Sequence, residues 1–291
     1  MSPQFLWITR VAHAAEGVHR ATLGRHGPHA AAFFDLDKTI IATSSAFAFG
    51  KEFMNNGLIT RQEALDLYLT KASYMLVGQS SEKMDTTRDA LAQMVAGWSV
   101  DEVTRITTET MRTVVTPAIY AEARELIEHH KAQGHDVIII SASAAILVEP
   151  IARELGVDTV VATELEVQDG KLTGTVTRYL KGDAKAEAVR TFAAEHGYDL
   201  AASYAYSDSA TDIPMLELVG NPVAVNPDRA LRKHAEQHEW DIRTFKNPEP
   251  LIQMPGTREV GIGAGVIAGV AAVVTAGVLL ARSLKRDKRS A

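Results

Sequence analysis

The stretch that decides the fold is Phe33-Phe34-Asp35-Leu36-Asp37-Lys38-Thr39. A short apolar run at residues 31–34 precedes the two acids and has the length of a buried strand. Because one residue separates Asp35 from Asp37, both carboxylates would lie on the same side of an extended backbone. Open α/β sheets place their ligands where parallel strands end, and two like charges this close call for a cation. The pattern therefore predicts a metal site beside an anionic substrate such as a phosphate.

Two further segments supply groups that suit a phosphate. Residues 137–143 are an apolar, β-branched run, and Ser141 would bring a hydrogen-bond donor to the carboxyl edge of the sheet. Lys185 opens a helical pattern that runs to about His196. A cation in the first turn is slightly unfavourable for the helix dipole. An ammonium directed at a phosphate, where it stabilises charge that develops during transfer, would explain it.

A fourth segment, residues 204–216, holds a strand that runs into Asp208, with Asp212 near the start of a helix. In order and spacing the four segments resemble motifs I to IV of the haloacid dehalogenase superfamily, in its phosphoserine-phosphatase-like branch. The resemblance covers about residues 31–240, and Ser207 stands where motif IV commonly has Gly. It implies an α/β fold with a Rossmann-like, doubly wound parallel sheet.

The resemblance also implies roles for single residues. Asp35 would attack phosphorus and form an aspartyl-phosphate, which divides one hard displacement into two easier steps. Asp37 would protonate the leaving oxygen and then activate water. Ser141 and Lys185 would hold the phosphoryl oxygens, and Thr39 would orient the loop.

A bound Mg²⁺ is implied in the same way. Its ligands would be Asp35, the backbone carbonyl of Asp37 and Asp208, and Asp212 would complete the shell, through water. Mg²⁺ prefers oxygen ligands and keeps several waters, so few carboxylates suffice.

The domain organisation is predicted from changes in composition and from residues that cap or break helices. Helices are predicted over 45–55, 60–77, 80–96 and 99–115, with Thr60, Ser80 and Ser99 as N-caps; this insertion resembles a type-1 cap. We predict an N-terminal extension at 1–30, a catalytic core at 31–45 and 117–246, a helical cap at 46–116, a linker at 247–259, a transmembrane helix at 260–281 and a basic tail at 282–291.

The second half of the core alternates strands and helices, as in a doubly wound sheet. Pro117 is expected to begin a helix that Gly134 ends, and the next helix covers 144–155. Asp169-Gly170 between two alternating runs indicates a β-hairpin, expected to be a flap beside the active site. Strands are predicted near 159–162, 203–207, 223–225 and 241–244.

Composition limits the partners. A net charge of −6 and a pI near 5.9 argue against nucleic acid. The absence of cysteine excludes disulfides, thiolate metal sites and a cysteine nucleophile. The histidines are scattered, and we expect His129, His130 and His135 to be surface residues.

The C-terminal segment 260–281 has no charged residue and, as a helix, would reach about 33 Å, enough to span a bilayer core. Gly261, Gly265 and Gly269 form a stripe through which two helices could pair as a homodimer. A helix packed on the domain is the alternative. We expect a single-pass membrane anchor with the catalytic domain in the cytoplasm.

The expected substrate is a small phosphorylated metabolite of the phosphoserine kind. Family members specific for phosphoserine carry a Glu about nine residues after the nucleophile, whereas this chain reads Thr43-Ser44-Ser45. Three alternatives therefore stay open: a phosphatase for lipid head groups or lysophospholipids, a phosphotransferase, and a non-catalytic, membrane-tethered binding module.

Overall fold

The computed structural model describes residues 9–10, 29–60, 62–63 and 92–248. Strand β2 (Ala31–Phe34) lies at the centre and is buried on both faces. Ala32 and Phe34 belong to one hydrophobic core, and Ala31 and Phe33 belong to a second core across the sheet. A strand covered on both faces must be continuously apolar, which is how the sequence before Asp35 reads.

The described residues form one sheet with the strand order β1-β4-β3-β2-β6-β7-β8, and β5 pairs with β4. Strands β4, β3, β2, β6, β7 and β8 are parallel, whereas β1 is antiparallel to β4. The predicted parallel, doubly wound sheet is confirmed. The other strands are β1 (Thr9–Arg10), β3 (Asp136–Ala144), β4 (Thr159–Gln168), β5 (Lys171–Arg178), β6 (Tyr204–Ser207), β7 (Asn221–Val225) and β8 (Asp241–Arg243).

Helices cover both faces of this sheet. The Phe34 face shares one hydrophobic core with α1 (Ser45–Asn55), α2 (Val100–Thr110), α3 (Ala121–Ala132) and α4 (Ala145–Glu154). The Phe33 face packs against α5 (Asp183–His196), α6 (Ile213–Leu216) and α7 (Arg229–Gln237). Because parallel neighbours all end at one edge, this arrangement gathers the loops after β2, β3 and β6 on one side of the molecule.

The described parts of the insertion confirm two of its predicted helix starts. The Ser99 hydroxyl accepts a hydrogen bond from the Glu102 backbone N–H at 3.4 Å. Thr60 and Glu63 form a capping box, in which the Glu63 carboxylate accepts from the Thr60 N–H at 2.8 Å and the Thr60 hydroxyl accepts from the Glu63 N–H at 3.2 Å. The limits of the insertion stay a prediction, since residues 64–91 lie outside the described part of the chain.

The predicted hairpin is confirmed, and it binds the insertion. β4 and β5 pair antiparallel up to Gln168 and Lys171, around the Asp169-Gly170 turn. The Gly97 N–H donates to the Leu172 carbonyl at 2.7 Å, and the Leu172 N–H donates to the Trp98 carbonyl at 2.9 Å. The hairpin therefore continues into a short backbone ladder with the segment just before α2.

The predicted helix from Pro117 to Gly134 is wrong at its start. Pro117 lies in a 3₁₀ turn (Thr116–Ala118), and α3 begins only at Ala121. The intervening residues are extended because they pair with the loop after β2. The Ala42 N–H donates to the Ala118 carbonyl and the Tyr120 N–H donates to the Ile40 carbonyl, each at 2.9 Å. This pairing braces the loop that carries the two acids.

The surface position predicted for His130 is also wrong. Its side chain is 2% exposed, and Nε2 lies 2.7 Å from the Tyr206 hydroxyl. Nδ1 lies 2.9 Å from Nδ1 of His135. Burial lowers the pKa of His130 to about 4, with the nearby His135 and His129 adding to the effect. His130 is therefore a neutral core residue on the buried side of α3.

Within the described residues, no helix is both long and apolar enough to cross a bilayer. The predicted membrane segment at 260–281 and the basic tail lie outside those residues. The membrane anchor and the homodimer therefore stay predictions.

Candidate active site

Three neighbouring strands deliver polar side chains to the same edge of the sheet. The register pairs Phe34 with Ile139 of β3 and with Tyr206 of β6. The Asp35 N–H continues the ladder past the end of β2 by donating to the Tyr206 carbonyl at 2.9 Å. Asp35 therefore stands level with the strand ends that carry Ser141 and Asp208, as the sequence predicts.

A buried lysine lies between two of the predicted acids. The Lys185 side chain is 2% exposed, and its Nζ lies 2.6 Å from Oδ1 of Asp35 and 2.7 Å from Oδ2 of Asp212. Burial disfavours the charged ammonium, but the two carboxylates outweigh it and raise the pKa of Lys185 above its usual range. The first turn of α5 therefore holds a permanent cation in the site.

One oxygen of the Asp212 carboxylate accepts hydrogen bonds from two side chains of the protein. Its Oδ2 accepts from the Ser207 hydroxyl at 2.8 Å as well as from Lys185. Asp212 ends the 3₁₀ turn that leads into α6, so β6 contributes Ser207 and the following loop contributes Asp212. Asp212 is thus built into the scaffold that holds the lysine.

The pKa values of two acids at this edge, Asp35 and Asp208, are raised because burial outweighs the positive charge near them. Burial raises the pKa of Asp35 to about 7, although Lys185 opposes the shift. Burial also raises the pKa of Asp208 to about 6, although Nζ of Lys38 lies 4.0 Å from its Oδ2. Two desolvated carboxylates that still favour protonation are a donor set that a hard cation would suit.

The side chains do not by themselves complete a metal centre. No group of three acidic or histidine side chains within the described residues is placed to hold an ion. Lys185 binds both Asp35 and Asp212, and the carboxylates with raised pKa values are those of Asp35 and Asp208. These two oxygen donors, with a backbone carbonyl such as that of Asp37, fit Mg²⁺, which needs few protein ligands.

Asp37 has partners that differ from those of Asp35. Its Oδ1 accepts from the Ser45 backbone N–H and its Oδ2 accepts from the Ser143 hydroxyl, each at 2.8 Å. The Ser45 hydroxyl in turn donates to the Ser143 oxygen at 2.8 Å. The two acids of the sequence pattern therefore serve different neighbours, Asp35 facing the lysine and Asp37 facing the start of α1.

Ser141 and Thr39 also lie where the sequence places them. Ser141 is buried, and its oxygen accepts from the Ser143 N–H at 3.1 Å. No acceptor for the Ser141 hydroxyl hydrogen is found in the described part of the chain, so this donor remains available to a ligand. The Thr39 hydroxyl donates to Oδ2 of Asp35 at 3.3 Å and steadies that carboxylate.

Three serines that contact the acids were not predicted as site residues. Ser143 could have been found, because it follows Ser141 by two residues in a strand and so shares its face. Ser45 and Ser207 gave no comparable signal. Their contacts depend on how α1 and the loop after β6 fold back onto the sheet.

The fold and this edge define a hydrolase of the doubly wound α/β class, with aspartates and a buried lysine at its strand ends. The chain belongs to the haloacid dehalogenase-like hydrolases, since the model of that family matches residues 32–217. It is therefore an enzyme, as the sequence predicts.

Individual relatives agree with this assignment. A Mycobacterium tuberculosis protein named as a probable phosphatase is 44% identical over 263 residues, which cover 89% of this chain and 92% of the relative. The phosphoserine phosphatase SerB1 of the same species is 36% identical over 247 residues, 83% of this chain and 80% of the relative. A crystal structure of a Bordetella pertussis protein of unknown function is 27% identical and superposes with a TM-score of 0.67 over 74% of this chain and 98% of that one.

Proposed function

We propose that this protein is a Mg²⁺-dependent phosphomonoester hydrolase that acts through an aspartyl-phosphate on a small, phosphoserine-like metabolite. The observation that carries the proposal is the Lys185 ammonium held between Asp35 and Asp212 at 2.6 and 2.7 Å. A buried cation beside a carboxylate at strand ends suits a reaction in which negative phosphoryl oxygens arrive and charge shifts among them. The names of the relatives support the same reaction class.

Asp35 is the proposed nucleophile. Its carboxylate attacks phosphorus while the bond to the ester oxygen breaks, and Asp37 gives a proton to that oxygen. Water then attacks the phosphoryl group on Asp35 while the bond between Asp35 and phosphorus breaks and phosphate leaves, and Asp37 takes the proton from the water. Lys185 and the free Ser141 hydroxyl donate hydrogen bonds to the phosphoryl oxygens in both steps.

Mg²⁺ would be held by the Asp35 and Asp208 carboxylates and the Asp37 carbonyl, and Asp212 would complete the shell through water. Bound there, the cation would neutralise charge on the phosphoryl group and on the acids. The raised pKa of Asp208 supports this placement. Burial destabilises the ionised carboxylate, and a bound cation would stabilise it.

A lipid phosphate is a second candidate substrate, and one exposed apolar side chain favours it. Phe47 is 64% exposed, and it lies in the first turn of α1, two residues beyond Ser45, whose N–H binds Asp37. An exposed phenyl ring in the first turn of this helix would suit an apolar substituent. The predicted membrane segment is consistent with such a substrate.

The test is free-phosphate release by the full-length protein from a panel that includes phosphoserine and lysophosphatidate. Mg²⁺-dependent release that EDTA removes and Asp35→Asn abolishes is expected, with Asp101→Asn on the exposed side of α2 as the matched control. A preference for lysophosphatidate that Phe47→Ser removes would favour the lipid substrate. Transfer of phosphate to an added alcohol in place of release would show a phosphotransferase, and no turnover of any ester would refute the enzyme proposal.

A further inference from the structure

The proposed acid and base, Asp37, is held on both of its carboxylate oxygens. The Ser45 N–H binds Oδ1 and the Ser143 hydroxyl binds Oδ2, both at 2.8 Å. Two donors on opposite oxygens fix the carboxylate plane, whereas one donor alone leaves rotation about the Cβ–Cγ bond open. Of the two donors, the N–H belongs to the backbone at the start of α1 and only the hydroxyl belongs to a side chain.

The Ser143 hydroxyl is itself oriented by a second hydroxyl. The Ser45 Oγ donates to Ser143 at 2.8 Å, and Ser45 is fully buried. With the Ser45 proton directed at its oxygen, Ser143 has its own proton left to donate to Asp37. The chain Ser45 to Ser143 to Asp37 therefore has one direction, and it joins α1, β3 and the loop after β2.

We propose that Ser143, oriented by Ser45, is a positioning residue that aims the Asp37 carboxyl at the leaving oxygen of the substrate. The proposal rests on the function proposed above. In the first step the proton on Asp37 passes to the ester oxygen as the phosphorus–oxygen bond breaks and the Asp35–phosphorus bond forms. Ser143 gains and loses no proton.

The proposal makes a prediction that depends on the leaving group. An alkoxide is a poor leaving group and needs the proton from Asp37, whereas a nitrophenolate leaves without help. Misplacement of Asp37 should therefore slow the first step for alkyl phosphates and spare it for aryl phosphates, because only the alkyl esters need the proton from Asp37 to leave. The water step, in which Asp37 acts as the base, is common to both esters and does not enter kcat/KM. General loss of folding would slow both kinds of ester alike.

The experiment compares kcat/KM for an alkyl phosphate, phosphoserine or glycerol phosphate, with kcat/KM for p-nitrophenyl phosphate. We expect Ser143→Ala to lower the first value about 10- to 100-fold, the range for loss of a hydrogen bond to a charged group, and the second less than about threefold. Ser143→Thr keeps a hydroxyl and should restore much of the difference. Ser45→Ala keeps the N–H to Asp37 and should give a smaller loss of the same kind.

Ser203→Ala is the matched control. Ser203 is a buried serine whose hydroxyl likewise donates a short hydrogen bond, to the Asp199 carbonyl at 2.6 Å, at the opposite end of the sheet. We expect that it lowers the melting temperature without changing the ratio of the two kcat/KM values. If Ser143→Ala does not fold, the ratio in Ser45→Ala decides.

Two results would overturn the inference in distinguishable ways. Equal losses on alkyl and aryl phosphates, or no loss on either, would show that Ser143 does not act through proton transfer while leaving the phosphatase proposal in place. Absence of phosphate release by the unmodified protein from every ester would remove the proposed function, and the inference with it.

Discussion

The buried His130 side chain should contribute a loss of stability when the protein is acidified. In the folded chain this side chain is buried against Tyr206 and His135, and its pKa is lowered from 6.5 to about 4. Below pH 6.5 the unfolded chain therefore binds a proton at this site that the folded chain does not. Stability contributed by the neutral imidazole is present at pH 7 and is lost as the pH falls toward 4.

The expected size follows from these two pKa values. Between pH 7 and pH 5 an unfolded histidine becomes almost fully protonated, whereas His130 in the folded chain takes up about a tenth of a proton. Integrating the difference gives a loss of about 2 kcal/mol in the free energy of unfolding. Asp35 and Asp208 act in the opposite direction, because burial raises the pKa of each and their protonation favours the folded state as the pH falls.

Comparison with a variant separates His130 from these acids. Urea unfolding of the wild type and His130→Gln, followed by circular dichroism at pH 7 and pH 5, should show a pH effect that differs between the two proteins by about 2 kcal/mol. His238→Gln, which changes an exposed histidine, should keep the wild-type difference. If the free energy of unfolding changes by the same amount between the two pH values in His130→Gln and in the wild type, the reasoning about the buried neutral state of His130 is wrong.

Three other predictions concern the site, the glycines and the C-terminal segment. Lys185→Met should lower phosphate release at least about 100-fold and the free energy of unfolding by about 3 to 5 kcal/mol, because it leaves two buried carboxylates without their cation; unchanged urea midpoints would contradict this. Gly50→Ala should stabilise the protein by about 1 kcal/mol, since a Cβ at this helical position meets no atom within 4 Å. Gly220→Ala should destabilise it by about 3 kcal/mol, because the new Cβ would overlap the Ala201 carbonyl. Equal melting temperatures for the two variants would refute the packing argument. Deleting residues 257–291 should move the protein from the membrane fraction to the supernatant with its activity retained, and sedimentation of the shortened protein with membranes would exclude the anchor.

Much of the sheet could be predicted from the sequence because a strand that is buried on both faces is a continuous apolar run. The apolar runs before Asp35, Ser141 and Asp208 each become strands of the parallel sheet, and their order along the chain brings the polar residues to one edge. The Asp169-Gly170 turn is equally local. These features depend on short stretches of chain and on a general rule of connection, so no knowledge of distant contacts is needed.

The rest depends on contacts between distant segments. Pro117 has the signature of a helix start, but the following residues pair with the loop after β2, and that pairing delays the helix to Ala121. His130 lies on a helix with a polar sequence, and its burial depends on distant partners such as Tyr206, 76 residues away. The Ser143–Asp37 hydrogen bond spans 106 residues. Local propensity carries no information about such partners.

The backbone ladder between the hairpin and the segment before α2 has a consequence for the design of variants with new substrate preferences. The hairpin leads directly through residues 179–182 into α5, whose first turn carries Lys185. Gly174 of the hairpin packs so closely that a Cβ would lie 2.9 Å from the Ala96 side chain. A chimaera that takes the insertion from one relative and the hairpin from another would have mismatched residues at this contact. The mismatch would disturb β5, the strand that precedes Lys185 in the chain. The two segments should therefore be transplanted together, as one exchangeable cassette.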